Sequence, residues 1–376
     1  MSLTHGGQLN SVAEQFDLDT EGWLDLSTGI SPFSYPVSDI PQSIWRELPV
    51  PSANLIQQAT NYYSGNNLLS ISGLNENIHT SRLMVTNGSQ SVIQSLPMVK
   101  RKNISSNSDA STIQVFVPEV GYKEHEKAWR DQGFKVVHYR KLPQPEQLTR
   151  NCVVVVINPN NPGGEKFAVD SLIALATNLS ELGGWLVIDE AFMDVFSHQC
   201  SMITEVMKQE SSLSDCVIVL RSVGKFFGLA GIRIGFVCTT EDILEQLRDM
   251  LGPWQVNGPA LLIAEKALGD LEWQRRQRER LSIQRSKLQA LLTVQFELDE
   301  IVGTDLFLTV KTNSAEQWFE RLCRHKVYVR LCDEKNAIRF GIPDDTGLER
   351  LQLVFEKISQ AYPEEQKPQS IQGRDQ

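Results

Sequence analysis

The run Cys152-Val-Val-Val-Val-Ile157 limits what this chain can fold into more than any other stretch. It is apolar at every position and leads straight into Asn158-Pro159. A strand that faces water on one side alternates apolar with polar residues. A strand without alternation is buried on both faces, the condition of a parallel sheet covered by helices above and below. The surrounding sequence repeats the theme. Candidate strands over Leu83–Thr86, Ile113–Pro118, Lys135–Tyr139, Cys152–Asn158, Trp185–Asp189, Val217–Arg221 and Ile234–Cys238 are interleaved with helical patterns. Those patterns cover Gln90–Lys100, Lys123–Gln132, Asp170–Glu181 and Asp242–Met250. The rhythm implies an α/β domain with a mainly parallel seven-stranded sheet.

Residues 1–35 are rich in Gly, Ser and Pro and read as an N-terminal arm of extended chain and loops. Ala53–Tyr63 is helical and stops near Gly65. The large domain is expected over 36–255, and a smaller α+β C-terminal domain over 256–362. The smaller domain starts with a long helix from Pro259 to Leu292, whose charged middle, Glu272 to Lys287, is a solvated face. Strands at Phe296–Gly303, Leu306–Val310, Val327–Leu331 and Ala337–Phe340 follow, with helices at Ser314–His325 and Thr346–Tyr362. Arg101–Thr112 is expected as a polar surface loop, and 363–376 as a disordered tail.

Composition removes several classes. The chain has 36 Lys+Arg against 46 Asp+Glu, and a net charge of −10 excludes a general nucleic-acid binder. No apolar run approaches the ~18 residues of a membrane helix, so no membrane partner is expected. The opening Met-Ser-Leu-Thr-His-Gly-Gly has neither the basic start nor the apolar stretch of a signal peptide. Six cysteines without a C-x-x-C pair are expected as reduced thiols of a cytoplasmic protein. Six scattered histidines make no metal site.

Two short matches lead nowhere. Ser222-Val-Gly-Lys225 has the S-x-x-K of penicillin-recognising enzymes without their other motifs. Gly224-Lys225 is followed by Phe226, where a Walker A loop needs Ser or Thr. Four other stretches fall at strand ends. Asn87-Gly88-Ser89-Gln90 opens a helix whose N–H groups and dipole favour an anion, although alone it serves equally as a turn and cap. Asn158-Pro-Asn-Asn161-Pro-Gly-Gly164 is more than a turn requires. Asp189 is a carboxylate at the end of a buried strand, costly unless a positive or hydrogen-bonding group meets it. Lys225 lies among Phe226, Phe227 and Leu229 with Arg233 nearby. Desolvation and a neighbouring cation lower an ammonium pKa and free the amine as a nucleophile. Taken singly, Lys225 also suits an ordinary surface lysine.

Taken together, N-P-N-N-P-G-G, D-E-A-F and R-S-x-x-K followed by G-x-R-x-G resemble the fold type I pyridoxal 5′-phosphate (PLP) enzymes of the class I/II aminotransferase group, over about residues 5–360. His5-Gly6-Gly7, Leu24–Pro32, Gly88–Pro97 and Gly121–Trp129 are similar to the branch of that group that decarboxylates L-threonine O-3-phosphate. The alternative is an aminotransferase of the histidinol-phosphate type.

The resemblance implies that Lys225 bonds covalently to the cofactor aldehyde and Asp189 faces its ring nitrogen. It further implies that Tyr122 stacks on the ring as a third catalytic residue and Asn161 donates to the 3′ oxygen. Gly88, Ser89, Gln90, Ser222 and Arg233 complete the cofactor set, mainly around the phosphate. For the substrate it implies Arg339, Gly29, Ile30 and Asn161 around the carboxylate, with His5 and Arg330 for a substrate phosphate. Two positions depart from the wider group: Phe192 replaces a Tyr that bonds the 3′ oxygen, and Leu48 replaces a Tyr that reaches the neighbouring subunit. Implied as well are a homodimer, a small phosphorylated amino acid as substrate, and a role in making the aminopropanol linker of cobalamin.

Overall fold

A computed structural model describes residues 6–65, 80–104, 109–208, 215–297 and 299–362. The expected tail over 363–376 and the arm residue His5 lie outside the described residues. The described residues form two compact units, one of 30–281 with 302–306, the other of 6–29, 282–301 and 307–362.

A two-residue strand β1 (Leu24–Asp25) precedes the strands of the first unit. These are β2 (Leu83–Thr86), β3 (Gln114–Pro118), β4 (Lys135–Tyr139), β5 (Val153–Ile157), β6 (Trp185–Asp189), β7 (Val217–Ser222) and β8 (Gly235–Cys238). They form one sheet of seven strands in the order β2-β8-β7-β6-β5-β3-β4. β8 runs antiparallel to both of its neighbours, and the other pairings are parallel. Every residue of β5 and β6 is buried, as the unbroken apolar run requires. Helices Gly88–Lys102, Lys123–Asp131 and Glu241–Leu251 cover one face. There Val92, Leu96, Trp129, Leu244 and Leu247 pack with Val115, Val153, Val187 and Val237 in one apolar cluster.

Strand polarity decides where chemistry can gather. β2 to β7 all end at one edge of the sheet, and the reversed β8 begins there. Across that edge Thr86 pairs with Gly235 and Gly235 with Ser222, while Leu220 pairs with Asp189 and Asp189 with Ile157. All the strand-end stretches singled out in the sequence therefore open on the same side, the usual place for a ligand in such sheets.

In the second unit are β10 (Phe307–Lys311), β11 (Val327–Tyr328), β12 (Arg330–Leu331) and β13 (Ala337–Gly341), with β9 (Glu300–Thr304) running into it. The sheet order is β12-β13-β10-β9, and β11 pairs in parallel with β1. The single strand expected at Val327–Leu331 thus serves two sheets, changing partner at Val329.

Three other expectations are corrected. The arm is not all loop: Leu9–Gln15 is a helix. Leu9, Val12 and Phe16 pack with Phe319, Cys323 and Tyr328, a tertiary contact that outweighs the lack of a side-chain cap. The long helix is two, Gly258–Gly269 and Leu271–Gln295, broken at Asp270, whose Oδ1 accepts from the Trp273 N–H at 3.0 Å. Phe296 does not begin a strand. It closes the second helix, in ring contact with Trp318, Phe340 and Phe355.

Candidate active site

Asp189 ends β6 at 4% exposure. Its Oδ1 accepts from the Ala191 N–H at 3.0 Å, and its Oδ2 lies 3.0 Å from His125 Nε2. His125 is itself buried, one helical turn beyond Tyr122, which caps the helix Lys123–Asp131. Sequence reasoning missed His125. The i, i+3 spacing from Tyr122, which places both on one helix face, is the signal that could have found it.

Gly88 opens the helix Gly88–Lys102 with φ +69°, a region that disfavours any side chain. A Cβ there would stand 2.9 Å from Arg233 Nη2. The guanidinium therefore lies against the first turn of a fifteen-residue helix, beside free N–H groups at the positive dipole end. Among the described residues no carboxylate pairs with Arg233; it donates to the Ala230 carbonyl at 3.2 Å. Gly235 is tight as well, since a Cβ there would meet Ser89 N at 3.1 Å. Two positive features converging without a counter-charge form a cradle for an anion such as a phosphate.

Ser222 ends β7, and Lys225 follows three residues later with Nζ 5.5 Å over the Phe192 ring. The Lys225 carbonyl accepts from the Ser31 and Gly228 N–H groups, which anchors the turn. Asn161 is half-buried in the loop after β5. In the same loop Asn158 accepts from the Phe167 N–H through Oδ1 at 2.9 Å, while its buried Nδ2 has no partner among the described residues. Tyr122 donates from its hydroxyl to Gln90 Oε1 at 3.1 Å. Burial, reinforced by Glu124 and Asp189 and opposed by Arg233, pushes its phenol above the ordinary range.

Glu190, next to Asp189, points the other way into a buried ion network that sequence reasoning also missed. Arg221 Nη1 donates to Glu190 Oε2 at 2.8 Å, Nη2 donates to Asp194, and the guanidinium lies 4.6 Å over the Tyr63 ring. Burial raises Glu190, opposed chiefly by Arg221. The network ties β7 to the segment that follows β6, next in sequence to Asp189 and Ser222. It steadies both, and removing one member would leave an uncompensated buried charge.

The substrate candidates of the second unit form their own group. Arg330 and Arg339 are directly opposed across β12 and β13. Arg330 donates to Asp333 at 2.7 Å, and the buried Arg339 donates to the Ser27 carbonyl at 2.6 Å. Burial, with Arg330 as a like charge, lowers Arg339 to about 10, partly offset by Cys332. Opposed guanidinium groups repel, so the pair gains from a bound anion. Gly29 is buried at the end of this unit's first segment, and Ile30 opens the first unit. Among the described residues, no group of three or more His, Cys, Asp or Glu side chains is placed to hold a metal ion.

Residues 46–352 match the family model "Aminotransferase class I and II". A threonine-phosphate decarboxylase from Pseudomonas aeruginosa is 35% identical, covering 91% of this chain and 94% of that protein. A histidinol-phosphate aminotransferase from Flavobacterium johnsoniae is 26% identical over 77% of this chain and 83% of that protein. The solved histidinol-phosphate aminotransferase from Sinorhizobium meliloti, in complex with pyridoxal-5′-phosphate, superposes with a TM-score of 0.71 at 17% identity, covering 95% of this chain and 96% of that one.

Proposed function

This chain belongs to the aminotransferase class I and II family, and from that premise we propose that it is a PLP-dependent decarboxylase of L-threonine O-3-phosphate. The observation that carries the reading is the 35% identity to a threonine-phosphate decarboxylase along nearly the whole chain. The site fits the cofactor on its own terms, with a buried carboxylate braced by His125 and a phosphate cradle built from Gly88, Arg233 and a helix start. When bound, PLP supplies an aldehyde that captures the substrate amine and a ring that takes up the electron pair released at Cα.

The chain's own residues do the rest. Lys225 would hold the cofactor through its amine and, once the substrate is bound, would deliver a proton to Cα. Asp189, kept in place by His125 and the Ala191 N–H, would present its carboxylate to the ring nitrogen. Gly88, Ser89, Ser222 and Arg233 would hold the cofactor phosphate, and Asn161 would donate to the 3′ oxygen. Arg339 and Gly29 are assigned to the substrate carboxylate, and Arg330 with His5 to its phosphate. The product of this reading is (R)-1-amino-2-propanol O-2-phosphate, for the aminopropanol linker of cobalamin. Among the described residues no helix is long and apolar enough to cross a membrane. The reading includes a cytoplasmic homodimer, to which Val37, Trp45, Leu48 and Val50, all at least half exposed, offer apolar side chains.

Purified protein loaded with PLP and given L-threonine O-3-phosphate should release CO₂ with no 2-oxoglutarate present. An absolute requirement for an oxo acid would overturn the decarboxylase reading in favour of an aminotransferase.

A further inference from the structure

Gln90, Tyr122 and Glu124 form a hydrogen-bonded chain that the chemistry above leaves unused. Gln90 lies in the first turn of the helix Gly88–Lys102; Tyr122 caps the helix Lys123–Asp131, and Glu124 lies in its first turn. The Tyr122 hydroxyl is 3.1 Å from Gln90 Oε1, and Gln90 Nε2 is 2.9 Å from Glu124 Oε2. An ionised carboxylate only accepts, so the amide turns its NH₂ towards Glu124 and its oxygen towards Tyr122. A carbonyl oxygen also only accepts, so the phenol must donate. The one phenolic proton is committed to Gln90, and the lone pairs of Oη are what Tyr122 offers any ligand.

We propose that Glu124 is a positioning residue: acting through the Gln90 amide, it makes Tyr122 an acceptor towards bound cofactor and substrate, so that Tyr122 orients the ring without exchanging a proton. The inference rests on the PLP reading of the site and adds to the stacking role implied for Tyr122 a fixed orientation of its hydroxyl.

The charged and titratable groups facing Tyr122 are Glu124 on its own helix, the His125 ring at 6.3 Å, Asp189 at the end of β6, and Arg233 before β8. The test is a pH titration of phenolate absorbance, taken as the difference between the full-length protein and its Tyr122→Phe variant, with and without PLP. Native protein should show no Tyr122 phenolate at about pH 10, the ordinary tyrosine midpoint. Glu124→Lys puts a donor where an acceptor stood. The amide then turns round, Nε2 donates to Oη, and the phenol ionisation constant should rise at least tenfold. The direct effect of the lysine charge is read in Glu124→Lys with Gln90→Met, where no amide can turn. There the rise should shrink to threefold or less.

Equal rises in the two backgrounds overturn the proposal. Glu124→Gln removes the charge but retains an acceptor for Gln90 Nε2, so its rise should stay at threefold or less. If Glu124→Lys does not fold, Glu124→Met with and without Gln90→Met makes the same comparison, with the larger rise expected when Gln90 is present. Because the phenol titrates with or without PLP, failure of PLP to bind would sink the functional reading separately from the amide chain.

Discussion

A methyl group on Gly88 would stand 2.9 Å from a nitrogen of Arg233, on a backbone already at φ +69°. Gly88→Ala should therefore cost about 1–2 kcal/mol in backbone strain and displace the guanidinium. PLP affinity should fall roughly tenfold or more, measured by titrating the apoprotein with PLP and following absorbance. On the proposed reading, Lys225→Ala removes the amine assigned to the cofactor, and should abolish both turnover and the visible absorbance of the loaded protein. Lys100 has no catalytic assignment but titrates in a useful range. It is 4% exposed, donates to the Gly183 carbonyl at 3.2 Å and lies 4.5 Å over the Trp185 ring. Burial lowers its pKa to about 8. A base depressed in the folded state binds fewer protons than in the unfolded state between that value and its ordinary one. Stability should therefore rise as pH climbs from about 8 to about 10.5, by up to ~3 kcal/mol. Lys100→Met should flatten that segment of a urea-denaturation profile; an unchanged profile would rule the assignment out.

At the scale of elements, apolar patterning was legible where burial is two-sided. β5, β6 and β7 fall where the apolar runs put them, within a residue at either end. Leu9–Gln15 was not legible, because seven residues lacking a side-chain cap have too little local signal to announce a helix. Its stability comes from Val12 against Cys323 and Tyr328, more than three hundred positions away in the chain. Val12→Asp should consequently destabilise by about 2–4 kcal/mol in chemical denaturation, as burying an unpaired carboxylate does. Val329 makes the same point. No property of the run Val327–Leu331 says that its first half pairs with β1 and its second with β13.

The whole molecule is acidic, with a net charge of −10, yet the guanidinium groups proposed to hold anions are gathered rather than spread. Arg233 with a helix start serves one place, and Arg330 with Arg339 another. Assembly belongs to this scale. The proposed homodimer should show twice the chain mass by light scattering, and Trp45→Glu with Leu48→Glu, at positions 60% and 66% exposed, should shift it towards monomer without unfolding it. An unaltered dimer would place the interface elsewhere.

By itself the sequence determined the layer architecture, the strands of the large sheet and the residue types at their ends, because two-sided burial and turn chemistry are written locally. It also carried the family resemblance, in stretches short enough to keep their spacing. The tertiary structure alone decided that His125 braces Asp189, that Glu190 turns away to Arg221, and that Gln90 stands between Tyr122 and Glu124. Those pairings join residues 31 to 64 positions apart. Hydrogen bonds depend on distance and direction in space, and the chain acquires both only when the sheet brings its strand ends to one edge.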